Sequence, residues 1–250
     1  MVNTVTETET TRTLKQHVSI RRYTADPIPD PMLQSILDAA RRSPTSSNLQ
    51  TYSIIVVRDE TTKAKLAELS GNQRQVAECP VFLAICADIH RLQRAAALHG
   101  KDVAVNLELS MVATVDAALV GMSAATAAES FGLGTVMIGG IRNNPQEVAE
   151  VLDLPEGVFV VFGLCMGWPA EQPPQKPRLP HAVVVHEERY HTENIDEALK
   201  AYDEALAEHY RAQGRNTPDA AWTGIIASRF ETPRRAFLHD VLEKRGFRWD

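Results

Sequence analysis

The sequence predicts a mixed fold of helices and strands, built as one large domain or as one domain with an extension. Its 250 residues lie within the size range of such a domain, and the 44% that are hydrophobic can supply a sizeable core. Short runs rich in β-branched residues, typical of buried strands, alternate irregularly with longer stretches whose apolar residues recur at helical spacing. These patterns exclude a disordered chain.

The N-terminal segment is predicted to differ from the rest of the chain. Residues 1–13 are rich in Thr and Glu and contain no apolar stretch that would suit a signal peptide, so a disordered tail is expected. The first helix opens at Asp30 and Pro31, because proline is favoured at the first helical position. Its apolar residues recur at helical spacing, and Pro44 predicts that it ends near Ser43.

Four runs predict strands. Residues 53–58 and 80–87 are β-branched or apolar and are bounded by polar or turn residues, which indicates buried strands. Residues 157–165 form a third strong run, and residues 135–138 form a brief one.

A long helix is predicted over residues 103–131, since Ala, Val and Met occupy more than one of its faces and Gly132 follows it. Its least polar part, residues 112–128, is Ala-rich and contains Asp116, which favours a buried helix over a membrane span. We therefore expect this helix in the core, at a dimer interface, or at both.

The chain changes in character after the last predicted strand. A helix opens at Pro145, whereas five prolines in residues 167–180 forbid regular structure and predict an extended loop. Residues 182–185 are a candidate strand, and residues 195–211 have the apolar stripe of a helix. Apolar residues within 222–241 predict one or two further amphipathic helices.

Composition argues against several classes of function. Acidic residues outnumber Lys and Arg by 32 to 26, and a net charge of -6 argues against a nucleic-acid-binding or membrane-binding surface. The histidines lack zinc-like spacing, so no metal site is expected, and no Ser-His-Asp or Cys-His arrangement is evident. Three cysteines in apolar runs predict reduced core thiols of a cytoplasmic protein: Cys79, Cys86 and Cys165.

Two groups of glycines have different explanations. Gly132 and Gly134 enclose Leu133 in a GxG motif, but this motif closes a helix and leads into a strand, whereas a dinucleotide-binding fingerprint does the reverse. It is therefore interpreted as a helix C-cap. Gly139 and Gly140 follow a strand, where paired glycines let a ligand approach the backbone; ordinary loop glycines are the alternative.

Polar clusters in three distant parts of the chain could serve one anionic ligand. His17, Ser19 and Arg21 offer an imidazole, a hydroxyl and a guanidinium, and residues 45–50 offer hydroxyl and amide groups after a helix. Lys176 and Arg178 stand in the proline-rich loop, which restricts their conformations. Each cluster alone is an ordinary surface feature.

Taken in order and spacing, the motifs resemble those of the nitroreductase family of FMN-dependent NAD(P)H oxidoreductases, and in particular its branch of oxygen-insensitive NADPH nitroreductases and flavin reductase P. The matching segments are SIRRYTADPI, residues 44–50, GNQR, AAESFGLGTVMIGGIRNN, FGLCMGWPA and KPRLP. The resemblance implies an α+β fold with a mostly antiparallel central sheet flanked by helices, in an intertwined homodimer with FMN at the subunit interface. Residues 14–180 would be the FMN-binding core, and residues 181–250 a helical extension that serves the dimer and the nucleotide or substrate pocket.

The resemblance also implies roles for individual residues. His17 and Ser19 would contact the FMN phosphate, as would Lys176 and Arg178. Arg21 would lie nearer the ribityl chain and the pyrimidine edge of the ring. The other residues expected at the cofactor are Thr45, Ser46, Ser47, Leu49, Gln73, Ile138, Gly139 and Gly140, with the segment around Ser46 contributed by the partner subunit.

The implied reaction is a ping-pong cycle. A hydride passes from NAD(P)H to flavin N5, and electrons then pass to a nitroaromatic or a quinone, with no side chain acting as nucleophile. One alternative is a flavin reductase that supplies reduced flavin to a partner enzyme. Another, of a different class, is a flavin-binding sensor or store without turnover.

Some positions depart from the family pattern. Val18 stands where an arginine commonly follows the histidine, which removes one phosphate contact. Gln213 and Pro218 occupy positions where relatives have arginines for the NADPH 2'-phosphate, so the choice between NADPH and NADH stays open. Residues with a candidate role towards substrate or nucleotide are Asn48, Arg142, Arg215 and Arg235.

Overall fold

The computed structural model describes residues 6–249, which form two compact units. The core unit comprises the described residues up to Pro173 together with those from Phe237 onward, and the helical unit is Pro174–Ala236. The helices of the core unit are α1 (Glu9–Gln16), α2 (Asp30–Ala40), α3 (Glu60–Leu69), α4 (Arg74–Glu78), α5 (His90–Ala97), α6 (Leu107–Ser130), α7 (Pro145–Val151) and α10 (Leu238–Lys244), and those of the helical unit are α8 (Ile195–Arg211) and α9 (Thr223–Arg229).

The core unit is built on a four-stranded antiparallel sheet. Its strands are β1 (Tyr52–Val57), β2 (Val81–Asp88), β3 (Gly134–Ile138) and β4 (Val158–Gly167), in the order β1-β2-β4-β3. All four predicted strands are confirmed, as is the α+β class. The two central strands, β2 and β4, are buried along almost their whole length, which explains their continuous apolar sequences.

Helix α6 lies in the core, as predicted, and it packs against α2 and β2. One face of α6 is lined with small buried residues that permit this close packing: Ala113, Ala117, Gly121, Ala124 and Ala128. Its length and apolar composition would also suit a membrane span, but buried core helices share these properties. The opposite face exposes large apolar side chains along its length: Leu107, Met111, Val115, Leu119 and Met122.

Gly132 ends α6 in the way the sequence predicts. Its φ of +83° lies in the left-handed region, and its N–H donates to the carbonyl of Glu129. The N–H of Leu133 donates to the carbonyl of Ala128 at 3.2 Å, which completes a Schellman C-cap. The interpretation of this GxG motif as a helix terminus is confirmed.

The structure differs from two expectations near the chain ends. The sequence predicts a disordered tail through residue 13, whereas in the structure α1 begins at Glu9, because Thr8 and Thr11 form a reciprocal capping box at its N-terminus. Residues 1–5 lie outside the described residues. The extension is predicted for residues 181–250, whereas the contacts of the structure divide the chain at Pro173 and Ala236 and place α10 in the core unit.

The C-terminal residues are held in the core unit by both apolar and polar contacts. The ring of Phe247 is fully buried and meets Phe159 edge-on, with 4.7 Å between the ring centroids. Buried Arg245 donates hydrogen bonds to the carbonyls of Leu154, Pro155 and Val158. These contacts explain why this segment belongs with the sheet.

The candidate strand at residues 182–185 is also wrong. The structure has a 3-10 helix at His181–Val183, where the N–H of Val183 donates to the carbonyl of Pro180. β-branched residues favour a strand only where a neighbouring strand completes the hydrogen bonds, and the sheet of the described residues lies entirely within the core unit.

Candidate functional site

His17, Ser19 and Arg21, the residues predicted to bind an anion and here called the anion cluster, are anchored at the junction between α6 and β3. Nδ1 of His17 lies 2.7 Å from Oε1 of Glu129, and the hydroxyl of Thr135 donates to the same oxygen at 2.6 Å. Ser19 forms a parallel bridge with Thr135. The structure therefore brings the HxS motif to the start of β3, although the two segments lie far apart in the sequence.

A second carboxylate fixes the backbone after Ser19. Oε1 of Glu171 accepts hydrogen bonds from the N–H groups of Arg21 and Arg22, at 2.6 and 3.1 Å. The guanidinium of Arg21 donates to the carbonyl of Ser19 at 3.3 Å and is otherwise exposed. This cation is thus held beside the His17–Ser19 segment by a fixed main chain.

The other end of β3 leads to the glycine pair. A Cβ at Gly140 would lie 2.4 Å from the carbonyl oxygen of Ser70 and 2.2 Å from Nε2 of Gln73. Gly140 is therefore required for close packing against the α3–α4 connection, and the structure brings together two residues predicted to bind the cofactor. Gln73 is held in turn, because its Nε2 donates to the carbonyl of Ser70 and its Oε1 accepts from Gln75.

Two polar groups near this glycine pair lie in low-polarity surroundings. The hydroxyl of Ser70 is buried and has no hydrogen-bond partner among residues 6–249. Arg142 donates to the carbonyl of Val161 in β4, and burial lowers the pKa of its guanidinium. Arg142 is thus held by the sheet, close to where a side chain on Gly139 would begin.

The two ends of β3 suit an elongated molecule with an anion at one end. At about 3.3 Å per residue, Gly139 lies about 13 Å from Thr135 along the strand. His17, Ser19 and Arg21 supply a ring nitrogen, a hydroxyl and a cation at the first end. Gly139 supplies partly exposed backbone at the second, while the side chain of Ile138 is buried and leaves only its main chain for contact.

Residues 45–50 form a separate exposed feature. Ser46–Asn48 is a short 3-10 turn, and Ser47, Asn48 and Gln50 all have positive φ. Asn is one of the few side chains that tolerate this conformation well, which accounts for its presence at position 48. The side chains of Ser46, Ser47 and Leu49 are exposed, whereas Thr45 is half-buried.

This segment stands well away from the anion cluster of the same chain. The N–H of Ser46 donates to Asp116, near the middle of α6, whereas His17 contacts Glu129 at its end. At 1.5 Å per residue, Asp116 and Glu129 lie about 20 Å apart along the helix. One chain therefore does not place the two clusters side by side.

The helical unit contains the remaining predicted cations. The hydroxyl of Tyr202 donates to the carbonyl of Pro177, which holds the loop that contains Lys176 and Arg178 against α8. Nζ of Lys176 lies 5.5 Å from the ring centroid of Tyr210. Both basic side chains are exposed.

Two further candidate arginines lie in this unit. The guanidinium of Arg215 lies 5.3 Å from the ring centroid of Tyr210, so the ring has Arg215 and Lys176 as cationic neighbours. Arg235 is half-buried and has a φ of 52°.

Sequence reasoning missed the residues that hold the site. Glu129 and Glu171 fix the anion cluster, and Asp116 fixes residues 45–51. A carboxylate at the end of a helix, just before the GxG motif, was a usable signal for Glu129. In the sequence, Asp116 is recognisable only as an interruption of an apolar helix.

The fold defines the class of protein. The structure superimposes on that of the hypothetical oxidoreductase YcnD from Bacillus subtilis with a TM-score of 0.94, covering 97% of this chain and 99% of that one at 38% identity. The described residues thus form the α+β fold of this group of oxidoreductase structures.

The family follows from the sequence comparisons. The nitroreductase family matches residues 14–168, and the C-terminal domain of the nitroreductase family matches residues 176–250. The chain belongs to the nitroreductase family. It is 43% identical to the oxygen-insensitive NADPH nitroreductase of Salmonella typhimurium, over 92% of this chain and 95% of that protein. It is 38% identical to an FMN reductase [NAD(P)H] of Bacillus subtilis, over 96% of this chain and 98% of that protein.

Proposed function

We propose that this chain is an FMN-dependent NAD(P)H oxidoreductase. The observation that carries the proposal is the placement of an anion cluster and a glycine pair at the two ends of β3, in a member of the nitroreductase family. Relatives that match almost the whole chain are named as an NADPH nitroreductase and an FMN reductase, which supports the same activity here.

The residues present fit FMN. A phosphate needs several donors and cations, and His17, Ser19 and Arg21 provide them without a Gly-rich loop. The carbonyl of Ser70 meets Gln73 and Gly140, and the hydroxyl of the same residue is an uncompensated buried polar atom at the end where the ring of FMN would lie. On the resemblance, we assign Lys176 and Arg178 to the phosphate as well.

The protein would bind and orient the reactants. When bound, FMN would accept a hydride from NAD(P)H and pass electrons to an acceptor. Arg21 would favour the reduced, more negative flavin by placing a guanidinium near its pyrimidine edge. Gln73 and the main chain of residues 138–140 would fix the ring, so that geometry replaces covalent catalysis.

We propose that the active form is a homodimer, which would complete the site. Within one chain the segment of residues 45–50 lies about 20 Å along α6 from the anion cluster. The same helix exposes a continuous apolar stripe, in contrast to the single exposed apolar residues that are common on protein surfaces. The residues of this stripe are Leu107, Met111, Val115, Leu119 and Met122. Pairing of two α6 helices would bury this stripe and bring the segment of the partner subunit to the flavin.

The proposed acceptors are nitroaromatics or quinones. A flavin reductase that supplies reduced flavin to a partner is the second candidate, favoured by the relative that is named an FMN reductase. A sensor or store without turnover is the third. Steady-state rates with nitroaromatic, quinone and free-flavin acceptors distinguish them: far faster turnover of free flavin would favour the second, and a yellow protein with no NAD(P)H oxidation would overturn the first.

The nucleotide preference is a separate proposal. Gln213 and Pro218 stand at the two positions where relatives are expected to have arginines. The side chain of Gln213 donates a hydrogen bond to the carbonyl of His209. Arg211 is paired with Asp219, and Arg215 remains beside Tyr210. We therefore propose weak discrimination between NADPH and NADH, with Arg215 as the main 2'-phosphate contact. The ratio of the kcat/KM values for the two nucleotides tests this proposal. Arg215→Ala should bring that ratio closer to one.

The phosphate assignment has its own test. Lys176→Ala together with Arg178→Ala should leave a folded protein that is poor in FMN after dialysis, because both exposed cations lie in a loop without a core role. Undiminished flavin content would refute the assignment. We also propose a cytoplasmic location, consistent with three buried free thiols.

A further inference from the structure

Asp116 joins the two ends of an exposed segment to the buried side of α6. One carboxylate oxygen accepts from the N–H of Ser46 at 3.0 Å, and the other accepts from the N–H and the hydroxyl of Thr51, at 3.1 and 2.7 Å. Asp116 is only 1% exposed, and Thr51 is fully buried. A buried carboxylate thus finds its hydrogen-bond donors in the main chain at both ends of residues 46–51.

The segment that Asp116 closes is conformationally unfavourable. Ser47, Asn48 and Gln50 have φ values of 47°, 58° and 55°, in the left-handed region that Asn tolerates but that is unfavourable for Ser and Gln. Such a backbone persists only where surrounding contacts determine it. The three hydrogen bonds to Asp116 are contacts of this kind.

Arg91 supports the segment from another side. Its guanidinium donates to the carbonyls of Gln50 and Tyr52, at 3.0 and 3.1 Å, and to the carboxylate of Asp88. These bonds hold the junction between the segment and β1. They do not reach Ser46, so Asp116 is the charged side chain that links the beginning of the segment to its end.

We propose that Asp116 is a positioning residue for the flavin site. It holds residues 46–51 in the shape that presents Ser47 and Leu49 to the isoalloxazine ring, and it acts through the main chain without contacting the cofactor. The proposal rests on the proposed function, because the role of this segment at the ring depends on it. The anchor is buried while the presented side chains are exposed, which is the arrangement that a rigid binding edge requires.

A purely structural role is the alternative, and a matched control separates the two. Ser110 lies on the same helix, is also fully buried, and accepts one hydrogen bond from the N–H of Arg248. Ser110→Ala removes the hydrogen bond between α6 and the main chain of Arg248 without changing any contact of residues 45–51. It should lower stability to a degree comparable with Thr51→Val, which removes only the hydroxyl bond to Asp116.

The test compares the holoenzymes of the wild type, Asp116→Asn, Thr51→Val and Ser110→Ala. Amide hydrogen exchange of residues 45–51 should become about tenfold faster in Asp116→Asn, because the amide group of asparagine meets the N–H donors with only one acceptor. Release of FMN on dilution, followed by flavin fluorescence, should show a dissociation constant raised about tenfold. The visible circular dichroism of the bound flavin should change as well. Thr51→Val should move all three readouts less, and Ser110→Ala should move none.

Each other result overturns the proposal. Unchanged exchange in both Asp116→Asn and Thr51→Val would refute the clamp, and faster exchange with unchanged flavin binding would refute the role at the ring. If Ser110→Ala lost as much FMN as Asp116→Asn, general destabilisation would explain the weaker binding and the positioning role of Asp116 would be refuted. If Asp116→Asn does not fold, Thr51→Val decides the question by the same readouts. A wild type that binds no FMN would instead refute the proposed function.

Discussion

Glu129 and His17 form a close pair, with 2.7 Å between Oε1 of the carboxylate and Nδ1 of the ring. Because an ionised carboxylate only accepts hydrogen bonds, Nδ1 carries the proton, and an anion bound by this ring would contact Nε2. The hydroxyl of Thr135 fixes the same carboxylate oxygen. The orientation of the imidazole is therefore set before any phosphate arrives.

The first prediction concerns this pair. Glu129→Gln keeps an acceptor for Nδ1 but replaces a charge-assisted hydrogen bond with a weaker neutral one, so the His17 ring is held less firmly and FMN should bind about fivefold more weakly. Fluorescence of FMN released on dilution measures the dissociation constant. In a His17→Ala background the same substitution should have no further effect. A full effect in that background would show that Glu129 does not act through His17.

The second prediction compares two adjacent glycines. Gly140→Ala should lower the free energy of unfolding by about 2 kcal/mol, because its methyl group would lie 2.4 Å from the backbone oxygen of Ser70. Gly139→Ala should change it by less than about 1 kcal/mol, since the nearest atom to its methyl group would be a guanidinium nitrogen of Arg142 at 3.5 Å, an ordinary van der Waals distance. Urea unfolding of both variants measures the difference. Equal destabilisation would contradict the close contact at Gly140.

The elements that the sequence predicts are those whose pattern reflects burial. β2 and β4 are central strands, so their apolar runs are continuous and are recognised without knowledge of their partners. Helix α3 is not predicted from the sequence because its pattern of apolar and polar residues is irregular. Lys63 is buried in this helix, and its ammonium group donates to the carbonyl of Cys79. Helix α1 is not predicted from the sequence because its capping box consists of threonines, which are also common in disordered tails.

The site residues divide in the same way. The motifs around His17 and Gly139 are local, so a family pattern identifies them. Glu129 and Asp116 act on segments far away in the sequence, and their partners are known only once the chain has folded. In the proposed homodimer, the position of residues 45–50 relative to the anion cluster would depend in addition on a second copy, which a single sequence does not describe.

The third prediction tests the exposed stripe of α6. Val115→Glu places a charge in the middle of the proposed dimer interface, where burial without a partner is costly, so the dimer association constant should fall at least about tenfold. Sedimentation velocity over a range of concentrations measures it. Leu98→Glu is the matched control, since Leu98 is 82% exposed and lies outside the stripe. A wild type that remains monomeric, or a Val115→Glu variant that dimerises normally, would contradict the interface.

The fourth prediction concerns the three thiols. Burial, together with the negative charge of Asp88, raises the pKa of Cys86 to about 12, and all three cysteines have no exposed surface. The native protein should therefore not react with a thiol-specific disulfide reagent at pH 8 on a timescale of minutes, whereas the urea-unfolded protein should react at all three. Rapid reaction of any thiol in the native protein would contradict this burial.

The fifth prediction concerns Asp203, whose carboxylate caps the start of α9. It accepts hydrogen bonds from the N–H groups of Trp222 and Thr223 and from the Thr223 hydroxyl. Burial alone raises the pKa of this carboxyl, but the hydrogen bonds outweigh it, and the net pKa is lower than usual. Since the folded state binds the proton less readily than the unfolded state, Asp203 stabilises the protein above the ordinary carboxyl pKa. That contribution is lost as the pH falls through the lowered value.

Asp203→Asn cannot titrate and therefore provides the reference for this effect. The wild type should exceed the variant in free energy of unfolding at pH 7, and the difference should shrink as the pH is lowered from about 5 to about 3. Urea unfolding at several pH values, followed by tryptophan fluorescence, measures both proteins. Asp219→Asn is the control, because Asp219 is an exposed partner of Arg211 in the same unit, and exposed ion pairs contribute little to stability. A difference between the wild type and Asp203→Asn that stays constant over this range would show that the ionised carboxylate of Asp203 does not stabilise the α9 terminus.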